Sequence, residues 1–235
     1  MWILKTRGAV SLSFDFFGNL ADNNAMVITY YGGDCFRVQF GDTVVAVNPT
    51  SKDSKLKTVR FGADIVLSAA NLPDYNGVEQ VQGGGKDPFV IDGPGEYEVG
   101  GVVVKGYPAP GAVPRHTFFF LTLEGMNLCF LTGLTQTELS REMQEELGEV
   151  DILFVPIGGG SLPPGEVYKV AVGLEPSYII PMHYDPSTKE GKESLRTFLK
   201  EGGAENAKSQ EKLTLKRRDV DTNEGKIEVL SPVTQ

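Results

Sequence analysis

Two histidines, two cysteines and a surplus of acid limit what this chain can catalyse or hold. His116 and His183 are the only imidazoles in 235 residues, so a centre built from several histidines is excluded by count. Cys35 and Cys129 form no CxxC pair, which indicates neither a zinc knuckle nor a disulfide framework. Both lie in apolar runs where packing, not reactivity, is expected. Ser68 has no GxSxG context to mark it as a nucleophile. Gly158-Gly159-Gly160 follows an apolar run and could offer backbone amides to a phosphate. Without the lysine and spacing of a P-loop, it reads as a turn. Gly83-Gly84-Gly85 reads as a loop. Asp92, Glu96 and Glu98 sit among the glycines and proline of a tight turn, and no catalysis is assigned to them. Lys212, Lys216, Arg217 and Arg218 make a small basic patch flanked by Glu211, Asp219 and Asp221, which reads as a solvated strand face. His116, placed just before Phe118-Phe119-Phe120, reads as a surface or strand-entry residue.

The composition narrows the classes further. A net charge of -9 argues against a general nucleic-acid or anionic-membrane binder, which normally carries basic excess. No apolar run approaches the roughly 18 residues of a spanning helix. With 40% hydrophobic residues and 28 glycines, the expectation is a cytoplasmic α/β or α+β protein. Residues 1–25 lack the long apolar core of a secretory signal and read as an N-terminal extension. Residues 26–235 read as a single domain.

The elements that would position a site follow from the apolar patterning. From Met26 the chain is β-rich: 27–31, 35–40, 43–48, 63–68, 89–91, 97–99, 102–105, 117–123 and 128–132 all read as strands. Gly41-Asp42 suits a type II′ hairpin turn. Thr135-Gln136-Thr137-Glu138 fits a capping box for a helix carrying Leu139, Met143 and Leu147, with Gly148 as its stop. Residues 151–156, a helix from Pro164 to Leu174, and 178–182 form a βαβ unit. Ser187-Thr188-Lys189-Glu190 opens a last helix with Leu195, Phe198 and Leu199 inward. Residues 213–216 and 226–230 read as a closing hairpin.

Four stretches carry a family resemblance: ITYYGGDCFRV (28–38), ADIVLSAANLPDYN (63–76), GPGEYEVGGVVVKG (93–106) and VDILFVPIGGG with PSYIIPMHY (150–184). Together they resemble the metallo-β-lactamase-fold hydrolases, in particular the L-ascorbate-6-phosphate lactonase-like branch. The resemblance implies a four-layer αββα sandwich with its site along one edge of two sheets. It also implies one or two metal ions that activate a water against an ester, lactone, amide or phosphodiester. The motif T-H-x-H-x-D-H of that family falls on residues 69–75. There Ala70, Leu72 and Tyr75 stand at the histidine positions, and Asp74 is retained. A later histidine position falls near Gly111, and the bridging aspartate falls on Gly133. Gly33 and Asn48 replace a histidine and an aspartate frequent in that branch, while His183 is kept.

Alanine, leucine and glycine offer no lone pair to a metal, and catalytic zinc needs about three protein ligands. The resemblance therefore implies a fold whose metal centre has been largely removed. The expected cleft is lined by Asn71, Asp74, Tyr75, Asn76 and His183 and takes a small polar or anionic ligand or a protein partner, with no cofactor. The alternative is a hydrolase with a reduced one-metal site for zinc, iron or manganese at Asp74, Tyr75 and His183. Asp74 and His183 could also form a metal-free acid–base pair. Against that pair stands the reading that Asp74 bonds loop amides and His183 is an inherited, satisfied residue.

Overall fold

Strand alternation decides which face each segment buries. In the computed structural model, residues 25–83, 87–112, 115–159 and 162–233 are described. The expected extension over 1–25 lies outside them except for Ala25, as do Gly84, Gly85 and Gly160. Strands β1 (Met26–Gly32), β2 (Cys35–Phe40), β3 (Thr43–Val47), β4 (Ile65–Leu67) and β5 (Phe89–Ile91) open the chain. They belong to a six-stranded mixed sheet in which the late strand Lys212–Leu215 flanks β1. Next come β6 (Gly95–Val99), β7 (Val102–Pro108), β8 (Thr117–Leu123) and β9 (Met126–Phe130), an antiparallel run. Helix α1 (Arg141–Leu147), β10 (Ile152–Pro156), α2 (Pro164–Gly173), β11 (Tyr178–Met182) and α3 (Lys189–Glu201) follow. β9, β10 and β11 run parallel, completing a seven-stranded sheet with Lys226–Ile227 at its edge.

The two sheets face each other over one core. Met26, Ile28 and Tyr30 of β1 alternate inward and meet Val102 and Val104 of β7 and Phe154 of β10. Tyr30 stacks on Phe36 at 4.7 Å, Phe36 meets Phe154 edge-on at 4.8 Å, and Phe154 stacks on Phe130 at 4.0 Å between ring centroids. β10 and β11 are buried on both faces because α2 and α3 cover the other side, which is why they read as continuous apolar runs. The outer face of the first sheet is covered differently. Val59, Phe61 and Ala63 of the loop after β3, with Val78 and Val81 beside a single 3-10 turn, pack on Cys35, Ala46 and Val66. The sandwich is therefore helix-clad over the second sheet and loop-clad over the first.

Two sequence expectations are corrected. The α1 cap is Ser140, whose Oγ accepts from Met143 N at 3.2 Å, while Thr135 of the supposed capping box donates to Pro110 O at 2.7 Å. The closing segments do not form a hairpin. Lys212–Leu215 pairs antiparallel with β1, and Lys226–Ile227 pairs parallel with β11, so they extend different sheets. Strand propensity identifies both segments as extended, but it carries no information about partners this far apart in sequence.

Candidate functional site

The C-terminal ends of β1, β3, β4, β9, β10 and β11 come together at one edge of the sandwich, because these strands run in the same direction within their sheets. Their following loops carry Gly33-Asp34, Asn48, the 68–77 turn, Thr132-Gly133, Gly158-Gly159 and His183. Three hydrogen bonds cross between the sheets there. His183 N donates to Gly33 O at 2.7 Å, Thr117 N to Ala69 O at 2.9 Å, and Asn48 Nδ2 to Thr132 Oγ1 at 3.0 Å. Asn48 also accepts from Ala69 N at 2.8 Å through Oδ1. Asn48 and His183 both adopt left-handed backbone, at φ 48° and 57°. That conformation is uncommon for histidine and persists only where the surroundings over-determine it.

His183 is held from three sides. Its Nδ1 donates to Asp34 Oδ1 at 2.9 Å, and the Asp34 side chain is 0% exposed against 32% for the imidazole. Below it lies the Gly158-Gly159 turn. A Cβ on Gly158 would stand 2.1 Å from the His183 carbonyl oxygen, and one on Gly159 would stand 2.5 Å from its Nε2. These glycines therefore do more than turn the chain: they let the β10 loop pass directly against the histidine. The Asp34 charge raises the His183 pKa from 6.5 to about 9 against the opposing effect of burial, with a smaller push from Asp74. Asp34 Oδ2 is buried and has no hydrogen-bond partner among the described residues.

The 68–77 turn presents the other expected residues. Asp74 accepts a hydrogen bond through Oδ1 from Ser54 Oγ, and so pairs with a hydroxyl rather than with His183. Tyr75 is 7% exposed, and burial, reinforced by the charges of Asp34 and Asp74, pushes its hydroxyl well above the usual phenol range. Burial thus favours the neutral phenol. Asn76 Nδ2 donates to Asn71 Oδ1 at 2.7 Å on the exposed side of the turn. Asp74, Tyr75 and His183 are neighbours that feel the same Asp34 charge or one another, whereas Asn71 and Asn76 bond each other at the rim.

Two glycines of this edge are packed against by other side chains. A Cβ on Gly33 would lie 2.7 Å from Leu56 Cδ1, and one on Gly133 would lie 2.7 Å from His116 Cγ. His116 therefore sits inside the site, edge-on to Tyr75 with ring centroids 5.2 Å apart and planes at 87°. Its position just before β8 is as expected, but its placement against Gly133 is not a surface one. No group of three or more His, Cys, Asp or Glu side chains is arranged to hold a metal ion among the described residues. Burial raises both cysteine thiols to about 12, which keeps them protonated and inert.

Sequence reasoning missed Asp34 and the role of Gly158-Gly159. Gly-Gly-Asp reads as ordinary turn chemistry. The available signal was a carboxylate directly before Cys35-Phe36, two residues buried at the mouth of a strand. A hollow of about 820 Å³, lined by Tyr178, Gln210, Asn223 and Lys226, opens at the other end of β11. Within it Asn223 donates to Tyr178 at 2.9 Å and Lys226 pairs with Glu228 at 2.8 Å.

Residues 27–183 match the family model for the beta-lactamase superfamily domain. Among solved structures, a candidate Zn-dependent hydrolase of the metallo-beta-lactamase superfamily from Thermotoga maritima is 30% identical. The match covers 87% of this chain and 98% of that one at a TM-score of 0.70. A candidate metal-dependent hydrolase from Parabacteroides distasonis is similar at 20% identity, 90% and 94% coverage and a TM-score of 0.58. An isothiocyanate hydrolase from Delia radicum gut bacteria matches at 11% identity, 89% and 98% coverage and a TM-score of 0.58. The last two share the fold. No curated protein matches.

Proposed function

This chain belongs to the beta-lactamase superfamily, and from that premise we propose that it works as a binding member of the family without metal-dependent hydrolysis. One observation carries the reading: no three His, Cys, Asp or Glu side chains converge at this edge among the described residues, where catalytic zinc needs about three protein ligands. Asp74 accepts from Ser54, and His183 donates to Asp34. His183 keeps Nε2 for a ligand, but one imidazole and one carboxylate fall short of that number. Leu56 and His116 fill the space beside Gly33 and Gly133. These residues do not fit a metal ion, so no reaction step is derived through one.

In this reading the retained edge binds a small polar or anionic ligand, with His183 Nε2 as the donor facing it. The Asp34–His183 pair fixes the direction of that donor at little net charge. The PGEYEVGG and IPMHY segments support a position beside the L-ascorbate-6-phosphate lactonase-like branch, and the two unpaired cysteines suit a cytoplasmic setting. No helix among the described residues is long and apolar enough to cross a membrane. The second reading, a hydrolase with one metal at Asp74, Tyr75 and His183, is favoured by the Thermotoga maritima relative at 30% identity.

Elemental analysis of protein grown with zinc, iron and manganese separates the two readings. We expect metal far below one ion per chain and no turnover of lactone, ester or phosphodiester panels with or without added metal. Metal near one per chain, lost in Asp74→Ala and His183→Ala, would sink the binding reading.

A further inference from the structure

The loop after β3 packs against this site and is a basic stretch of an acidic chain. Lys52, Lys55, Lys57 and Arg60 fall within nine residues that contain one acid, Asp53, although the chain as a whole has 31 acids and 22 bases. All four basic residues are exposed. Lys55 and Lys57 make no ion pair among the described residues. Lys52 lies near Glu79, which its backbone and charge help to ionise.

This loop is fixed in place. Ser51 N donates to Pro73 O at 2.8 Å, Ser54 Oγ donates to Asp74, and Leu56 N donates to Ser54 Oγ at 2.9 Å. Thr50 Oγ1 closes its base by donating to Lys57 O at 2.8 Å. Leu56, between Lys55 and Lys57, reaches Gly33, the residue preceding Asp34. The backbone that carries the lysines on either side of it is thus anchored beside His183's partner. In a protein whose overall field repels anions, a local basic rim is the element that would reverse the potential at the opening.

We propose that the basic loop from Lys52 to Arg60 makes the His183 edge a site for small oxyanions, phosphate- or carboxylate-bearing molecules whose charge meets the Lys55 and Lys57 ammonium groups. The inference rests on the binding reading above and assigns its ligand class. Asp53 and Asp74 oppose it locally, and Asp74 is offset by the hydroxyl donated from Ser54. A monovalent ligand gains less than a multivalent one, which can meet both lysines together.

Calorimetric titration of the full chain with pyrophosphate, citrate and, as a neutral control, glycerol tests this directly. Saturable binding of pyrophosphate or citrate is expected, weakening as salt is raised. In Lys55→Gln/Lys57→Gln it should be about five- to tenfold weaker, and in Lys189→Gln/Lys192→Gln on α3 unchanged. Both pairs are exposed, so folding should survive, and circular dichroism checks it. Absence of binding by both anions, or binding indifferent to the loop substitutions, overturns the proposal. So does loop-dependent binding found only with phosphatidylserine vesicles, which would make the loop a membrane contact. Metal content measured on the same samples keeps the two claims apart. Metal-free protein that ignores anions defeats this inference alone, whereas stoichiometric metal defeats the binding reading beneath it.

Discussion

The two banks of the site have been treated differently. On the second-sheet bank, the backbone is still shaped around its side chain: Gly158 and Gly159 clear a path for His183, which keeps its left-handed backbone and its inter-sheet hydrogen bond. On the first-sheet bank, the 68–77 turn carries Ala70 and Leu72, which offer no lone pair, and Leu56 occupies the space beside Gly33. The difference teaches that the frame of a site and its chemistry are separable. The frame is secured by backbone hydrogen bonds and close packing that a change of side chain at Ala70 or Leu72 leaves untouched. The chemistry depends on lone pairs that such a change removes outright.

If the second-sheet bank is the rigid one, Gly158→Ala should be the most damaging single change. Its Cβ would stand 2.1 Å from a backbone carbonyl oxygen, which cannot swing aside as a side chain could. A loss of about 3 kcal/mol or more in urea unfolding is expected, and a loss below about 1 kcal/mol would show that the β10 loop yields. Removing the carboxylate in Asp34→Asn should cost about 2 kcal/mol, because the imidazole can still shed its proton. In the same variant the His183 pKa, followed by NMR, should fall from about 9 to 6.5 or below as burial acts unopposed. An unchanged value would mean that Asp34 does not hold the charge.

The pH dependence has the same origin. The folded-state pKa of His183 is raised above its unfolded value, so its contribution to stability is full below pH 6.5 and declines as pH rises through about 9. Of the order of 2 kcal/mol should be lost across that window, and the loss should vanish in Asp34→Asn. The smallest effect is expected on the other bank. Leu56 is 37% exposed, so Leu56→Ala should cost less than about 1 kcal/mol while opening the space beside Gly33. A large loss there would erase the contrast between the banks.

Much of the fold was legible because it is written locally. β-branched runs with glycine turns mark β1 to β4, and Thr188 caps α3 through Gly191 N as the sequence suggests. For the site, residue type alone told only that side chains such as Ala70 and Leu72 offer no lone pair. What stayed hidden depends on partners. Asp34 is a turn residue until His183 arrives beside it, Gly133 is a bare turn until His116 fills its space, and Ser140 outcompetes Thr135 because Pro110 engages the threonine. The strand partners of 212–215 and 226–227 were hidden for the same reason.

The Asp34–His183 contact also has a consequence in time. Its members are 149 residues apart, and Gly33 receives the His183 amide across the same gap. During synthesis, Asp34 leaves the ribosome long before the strand that ends in His183 exists. The carboxylate must stay hydrated until β11 docks, so closing this edge is a late event and contact order is high there. The edge therefore works as a completion mark: only a chain translated past Tyr184 and folded through both sheets can bury Asp34.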